Sequence, residues 1–262
     1  MDIFLVIGII VGLASVIVGM IVKGANVAVL LNPAAAIIIL IGTTAAVMNS
    51  FPRKEFLNIP KIVGALFREN SHNEEVEIIN KIVEMAQLAR KEGLMALEQA
   101  VAGMNNKFLQ KGLGMVVDGI QPEYVRDVLN TEIECLEERH RACASIFSTA
   151  GSASPTLGVL GAVIGLIGAL GNLNDTEKLG HMISAAFVAT LYGIFLGYVV
   201  CHPFASRLKR KSQEEVHGMN IILEGILSIQ AGENPKSIEV KLVSMLEPKQ
   251  RIPFEKSNSE KH

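Results

Sequence analysis

The 262-residue sequence has no tryptophan, only three cysteines and few charged residues, and these shortages exclude several classes of protein. Cys135, Cys143 and Cys201 form no CxxC pair, have no histidine at ligand spacing and would leave one thiol unpaired. A disulfide scaffold and a metal site are therefore excluded. Charged residues make up 19% of the chain, against roughly 25% in an average soluble domain. The net charge of −2 argues against a nucleic-acid-binding protein.

Charge is missing above all from four long stretches of the chain. Asp, Glu, Lys and Arg are absent from residues 3–22, 24–52, 142–174 and 179–206. A bilayer core of ~30 Å requires about 20 helical residues, so each stretch can cross a membrane. The first has no basic segment before it and no evident cleavage site, which distinguishes it from a secretory signal. We predict an all-α membrane protein with spans at about 3–22, 33–51, 151–172 and 180–202.

The basic residues predict the orientation of these spans. Of the 24 Lys and Arg residues, only Lys23 and Lys178 lie in the short links within the two pairs of spans. Because basic residues favour the cytoplasmic side, the long middle segment and both termini are predicted to be cytoplasmic. Basic clusters at 53–54 and 207–211 lie where spans two and four should leave the membrane. They are expected to anchor the spans and to attract anionic membrane lipid.

The segments between spans two and three and after span four are predicted to be helical. Ile78 and Ile82 recur at helical spacing, Pro122 suits the first turn of a helix, and Ile226 and Leu227 belong to an amphipathic stretch. We expect a helical cytoplasmic insert between spans two and three and a helical cytoplasmic tail. The predicted divisions are a transmembrane hairpin (1–52), a helical cytoplasmic domain (53–145), a second transmembrane hairpin (146–206), a helical tail (207–247) and a disordered end (248–262).

Motifs of soluble enzymes are absent from the sequence. It contains no GxxxxGK[ST], GxSxG or HExxH pattern, so we expect no enzyme activity, no catalytic residue, no metal and no cofactor. His181 and His202 lie at predicted span edges. Each is either an interfacial side chain or part of a proton relay.

Small residues repeat along spans three and four. Gly158, Gly161 and Gly165 lie in the third span, and Gly193 and Gly197 lie four residues apart in the fourth. This spacing lets membrane helices approach closely. It is consistent with ordinary packing, but its concentration in two spans suggests that they form a tightly packed inner layer.

Two prolines and one threonine add to this pattern. Pro155 lies in span three and Pro203 at the end of span four, where each produces either a static kink or a hinge. The Thr190 hydroxyl either bonds the Ala186 carbonyl or faces a wet cavity that conducts an ion. No carboxylate lies within a span. Ion conduction would therefore require an ionisable group from another chain.

Three motifs and an exit sequence resemble the MotA family, the A subunits of flagellar motor stators. The motifs are Ala-Arg-Lys-Glu-Gly-Leu-Met-Ala-Leu-Glu at 89–98, Ser-Pro-Thr-Leu-Gly-Val-Leu-Gly-Ala-Val-Ile-Gly-Leu at 154–166, and Ala-Thr-Leu-Tyr-Gly at 189–193. His202-Pro203 before a basic stretch adds to the match. The resemblance extends over nearly the whole chain and includes the four-span topology.

The resemblance implies a rotary complex in the bacterial inner membrane. Five copies of the chain would surround the transmembrane helices of two B subunits (MotB), each of which supplies one membrane aspartate. Ion flow through that 5:2 complex would turn the A-subunit ring and drive the rotor protein FliG. The nearest alternative is an ExbB- or TolQ-type energiser of an outer-membrane system, but that group typically has one span before the large cytoplasmic segment. A self-sufficient channel or transporter is opposed by the lack of membrane carboxylates.

Individual residues match family positions with known roles. Thr190 matches the threonine near the partner aspartate, and Ala162 falls where sodium-driven relatives carry a threonine. Because the missing hydroxyl removes an oxygen that sodium would bind, we predict proton coupling. Pro155 and Pro203 match the prolines that couple ion binding to movement. The rotor-facing charges correspond to Arg90 and Glu98, which are otherwise ordinary solvated helix charges.

Overall fold

A computed structural model describes residues 3–67 and 74–259, and within these residues the chain is helical with no strand. Twelve α-helices follow one another: α1 Ile3–Val22, α2 Pro33–Ser50, α3 Arg53–Phe56, α4 Ile59–Leu66, α5 Glu74–Glu92, α6 Leu97–Ala102, α7 Lys107–Val117, α8 Pro122–Leu170, α9 Thr176–Ile194, α10 His202–Gln230, α11 Pro235–Met245 and α12 Pro248–Ser259. Two 3₁₀ turns, Val27–Leu30 and Leu94–Ala96, and a π-helical turn, Phe195–Cys201, complete the described part. The all-α prediction is confirmed.

Local sequence explains where several helices begin and end. The Asn32 side chain accepts a hydrogen bond from the Ala35 N–H (3.0 Å) and Pro33 occupies the first turn of α2. Asp175 caps α9 in the same way by accepting from the Lys178 N–H at 3.0 Å. Within the part of the chain that the structure describes, four helical segments are long and apolar enough to cross a membrane: Ile3–Val22, Val27–Ser50, Pro122–Leu170 and Thr176–Gln230.

The chain divides into two compact units, and α8 and α10 each contribute residues to both. The membrane unit comprises Met1–Glu69 and Arg139–Lys211, and the insert unit comprises Asn70–Glu138 and Ser212–His262. These divisions differ from the predicted ones, which began the cytoplasmic domain at 53. The reason is that α4 packs with the membrane helices: Ile62 and Leu66 share an apolar cluster with Val47 and Phe204.

The membrane unit is built around the α8–α9 hairpin. One face of α2, with Ala35 and Ile39 buried, packs on it, and Ala35 contacts Val188 and Ala189 of α9. α1 approaches the π-helical turn, since a methyl group added at Gly12 would lie 2.7 Å from Val199 Cγ1. The described residues of α1 include none that is buried, as expected for a lipid-facing helix.

The insert unit has a separate core of large aliphatic side chains. Ile82 of α5, Leu129 of α8 and Ile226 of α10 are fully buried there. Ile226 and Leu227 are buried as the amphipathic pattern predicts, and α8 begins at Pro122 as expected.

The predicted disordered end differs from the structure. Residues 248–259 form α12, and residues 260–262 lie outside the described part. Phe254 is buried in the insert-unit core, and the Arg251 side chain donates to the Leu246 carbonyl (2.8 Å) and the Ser244 carbonyl (2.9 Å). One aromatic anchor and these bonds hold a segment whose composition is otherwise polar.

Candidate ion path and coupling site

Helices α8 and α9 contact each other through small residues. Methyl groups added at Gly161 and Gly165 would lie 2.8 Å from the Cβ atoms of Ala189 and Ala186, respectively. Gly193 lies against the Ser154 carbonyl oxygen. A methyl group added at Gly193 would lie 3.0 Å from Gly158 Cα. Because these neighbours are backbone atoms or alanine methyls, no flexible side chain can move aside. The tight inner packing inferred from the glycine spacing is present in the structure.

Thr190 connects the two inner helices. Its hydroxyl donates to the Gly158 carbonyl of α8 at 3.3 Å and to the Ala186 carbonyl of its own helix at 3.5 Å. The local bond to Ala186 is the one expected for a helical threonine, and the bond to Gly158 is an additional link across the helix pair. Ala162 lies one turn beyond Gly158 on α8 and is half-buried.

Pro155 of α8 takes part in a second contact, with the π-helical turn that follows α9. Its missing N–H leaves the Gly151 carbonyl, four residues earlier, without its helical donor. Gly197 lies against both groups: an added methyl group there would be 2.6 Å from the Gly151 oxygen and 2.9 Å from Pro155 Cγ. The freed carbonyl and the proline ring therefore face a glycine of the π-helical turn.

The π-helical turn ends next to Pro203. The His202 N–H donates to the Gly197 carbonyl five residues earlier, which is the π-helical pattern. Proline at 203 cannot donate a backbone hydrogen bond, and the wider turn precedes it directly. Pro203 itself is exposed. A kink or hinge is the prediction for Pro203, but the π-helical turn before it was not predicted; Gly197 followed six residues later by Pro203 was the available signal.

Two further residues of this site were not singled out from the sequence. Tyr192, within the 189–193 motif, donates its hydroxyl to the Leu30 carbonyl in the link between α1 and α2. Ser154 is fully buried, and its hydroxyl has no hydrogen-bond partner among the described residues. The motif at 189–193 gives no indication that Tyr192 has so distant a partner.

Arg90 and Glu98, the charged residues that the resemblance assigns to the rotor contact, lie in the insert unit and are distant in sequence from this site. Arg90 is in the last turn of α5 and Glu98 in the first turn of α6. Gly93 between them has φ +88°, a conformation that suits glycine, and the turn Leu94–Ala96 follows it. Both charges are exposed, and neither forms an ion pair with another described residue.

Among the described residues, no group of three or more His, Cys, Asp or Glu side chains could hold a metal ion. The contact between α8 and α9 is formed by backbone carbonyls, the Thr190 hydroxyl and glycines. The fold and this site define an all-helical, multi-pass membrane protein with a closely packed inner helix pair.

Comparisons with known proteins specify the class further. The model of the MotA/TolQ/ExbB proton channel family matches residues 100–221, and the model described as Motility protein A N-terminal matches residues 6–93. Motility protein A of Bacillus subtilis is 49% identical over 265 residues, covering 100% of this chain and 98% of that protein. Chemotaxis protein PomA of Vibrio alginolyticus is 34% identical over 246 residues, covering 94% and 96%.

This chain is also similar to chains in solved structures of MotAB. The flagellar MotAB stator complex of Bacillus subtilis contains a chain with 50% identity and a TM-score of 0.89, covering 95% of this chain and 98% of that one. C. jejuni MotAB has 32% identity and the same TM-score of 0.89, with coverage of 95% and 97%. The chain belongs to the MotA/TolQ/ExbB proton channel family.

Proposed function

We propose that this chain is the A subunit of a bacterial flagellar stator, which converts ion-motive force into torque on the rotor. The observation that carries the proposal is the full-length similarity to Motility protein A at 49% identity. The structural match to MotAB stator complexes supports it. An ExbB/TolQ-type role is disfavoured because two apolar helices, α1 and α2, precede the insert.

The partner in this proposal is a MotB-type B subunit. The charge-free stretches of the chain contain no carboxylate, whereas ion translocation within a membrane requires an ionisable group. An aspartate from the B subunit supplies it. Five A subunits surround two B subunits in the inner membrane, with both A-subunit termini and the insert unit in the cytoplasm. The basic residues that flank the apolar stretches support this orientation.

Copurification with the B subunit tests the assembly. The two chains are coexpressed, purified together and counted by native mass spectrometry. We expect a 5:2 complex that conducts ions in liposomes, and no conduction from this chain alone. Conduction by the purified chain without a partner would overturn the proposal.

We further propose that the transported ion is the proton. Thr190 lies on the path beside the partner aspartate, and Ala162 provides no hydroxyl on α8 for a sodium ion. The Thr190 hydroxyl donates its hydrogen to backbone carbonyl oxygens of Gly158 and Ala186, which fixes its position on α9. Ion flux should therefore follow the proton gradient and stay constant when sodium is replaced by potassium. A flux that depends on sodium would contradict this assignment.

Pro155 and Pro203 are the proposed coupling points. Moving one charge through 100 mV provides about 2.3 kcal/mol, so each step can only select between arrangements of similar energy. The contact of Pro155 with Gly197, which lies within the π-helical turn, is the proposed place where two helices shift without breaking a large apolar core.

Arg90 and Glu98 are proposed to contact the rotor protein FliG. Their exposure on adjacent turns leaves both charges available to a partner. Weak, salt-dependent contacts suit a partner that binds and releases repeatedly. Charge reversal at either residue should reduce torque while the 5:2 complex and its ion flux persist. Loss of assembly instead would show that the charges are structural.

A further inference from the structure

His202 has an environment that the stator assignment does not explain. Its imidazole ring lies face-on to Gly151 of α8: a methyl group added at Gly151 would be 2.9 Å from Cε1, Nδ1 and Nε2 of the ring. The Tyr198 ring, one turn earlier, is 5.3 Å away between centroids. The ring is half-buried, and its nitrogens form no hydrogen bond with any residue that the structure describes. A glycine and an aromatic ring thus fix the imidazole while its nitrogens remain available.

Three of the helices in the membrane unit contribute no charge near this ring. The charge-free stretches 3–22, 24–52 and 142–174 cover α1, α2 and the part of α8 that contains Gly151. On its own helix, the titratable neighbours are Tyr198 and Cys201, and the first charged residue is Arg207. Glu55 of α3 acts electrostatically on Cys143, two turns before Gly151 on α8. Imidazole is the side-chain group best suited to exchange a proton with water at physiological pH.

The position of His202 along the helix fits the end of the ion path. About three helical turns separate it from Thr190, which corresponds to roughly 18 Å at 1.5 Å per residue. That separation is too long for direct proton transfer to the vicinity of Thr190. It places the imidazole where the apolar stretch ends and the basic stretch 207–211 begins.

We propose that His202 is the proton acceptor at the cytoplasmic exit of the ion path; this inference rests on the proposed proton-conducting function. A proton leaves the carboxylic acid of the B subunit and travels through water to a free ring nitrogen of neutral His202. The carboxylate is regenerated and the imidazole becomes imidazolium. Imidazolium then loses the proton to cytoplasmic water, which returns the ring to its neutral form. No bond other than those to the proton changes, and no electron is transferred.

Proton flux through the complete complex with the B subunit tests this role. Complexes in liposomes are assayed with an internal pH dye while the pH on the exit side is varied from about 5.5 to 8, a range that spans the ordinary histidine pKa. The variants are His202→Gln, which keeps polarity, and His202→Phe, which keeps a ring over Gly151. His181→Gln is the matched control, because His181 is exposed at the other end of the same helical segment.

We expect wild-type flux to depend on the exit-side pH and both His202 variants to lose that dependence, with flux lowered about tenfold or more. The His181→Gln complex should behave like wild type. Added imidazole should restore part of the flux in the His202 variants. An unchanged pH profile in assembled His202→Phe would overturn the inference, as would an equal loss at every pH without imidazole rescue. If the wild-type complex conducts no protons, the proposed function fails instead.

Discussion

The two units of this chain pack their helices in opposite ways. In the membrane unit, glycine and alanine occupy the contact between α8 and α9, while large residues of α8 point outward; Leu160 is 49% exposed. In the insert unit, large residues point inward, and Leu129 of the same helix is 0% exposed. One continuous helix, α8, therefore follows two different packing rules along its length.

The solvent of each unit explains the difference. Water drives leucine and isoleucine together in the insert unit. Lipid provides no such drive, so membrane helices associate through close backbone approach at small residues. Glycines of the inner helices in the membrane unit accordingly face different neighbours from a glycine of the insert-unit core. Gly225 of α10 faces the Ile82 side chain, whereas Gly193 and Gly197 face carbonyl oxygens.

The largest effect is expected from removing a buried aliphatic side chain of the insert unit. Leu129→Ala should lower the free energy of unfolding by about 2–5 kcal/mol, because it leaves a cavity in a packed core. Leu160→Ala is the control on the same helix. It should cost much less, since Leu160 is half exposed to lipid or to a neighbouring chain. Thermal unfolding in detergent compares the two, and equal losses would show that the two packing rules do not differ.

The next largest effect is expected from adding one methyl group to the membrane unit. Gly193→Ala places a carbon against the Ser154 carbonyl and forces α8 and α9 apart, which costs about 1–3 kcal/mol. Motility should be lost with it, because the same contact holds Thr190 in place. Gly180→Ala is the matched control on α9, since open space surrounds that position. A motile Gly193→Ala strain would mean that this contact can open freely.

Sequence patterns predicted what depends on neighbouring residues and missed what depends on distant ones. The length of a stretch without charged residues is a local property of the sequence. It predicted the ends of α1 and α2 to within one residue. Gly197 of the π-helical turn lies against Pro155 of another helix, and the Tyr192 hydroxyl bonds a carbonyl 162 residues away. Neither partner can be found from spacing. The helix α12 was missed because one buried phenylalanine, Phe254, outweighs a polar composition.

A smaller effect on stability, but a large one on function, is expected at Thr190. Thr190→Val removes the hydroxyl that bonds Gly158 and should cost about 0.5–1.5 kcal/mol. Thr190→Ser keeps the hydroxyl and should retain ion flux. Flux through the complex with the B subunit is measured in liposomes for both variants. If valine and serine conduct equally well, the hydroxyl has no part in the ion path.

The smallest effect is expected from an ion pair at the surface of the insert unit. Lys241 of α11 lies 2.5 Å from Glu224 and 3.5 Å from Glu233, and its side chain is 41% exposed. The hydrogen bond to Glu224, opposed by some burial, raises the pKa of Lys241 above its ordinary value. Solvent screening limits the contribution to about 0–1 kcal/mol, which Lys241→Met should remove.

The pH dependence of that loss distinguishes the ion pair from the packing of the lysine stem. Because the native pKa is raised, the ion-pair contribution is complete below the ordinary lysine pKa and disappears as pH rises through the native value. The difference in thermal midpoint between wild type and Lys241→Met should therefore shrink at alkaline pH. Lys236→Met serves as the comparison, because Lys236 pairs with Glu239 (3.0 Å) and is itself 54% exposed, and it should shift the midpoint less. If the difference in thermal midpoint between wild type and Lys241→Met stays constant up to alkaline pH, the effect comes from apolar contacts of the lysine stem. Apolar contacts also stabilise the insert-unit core.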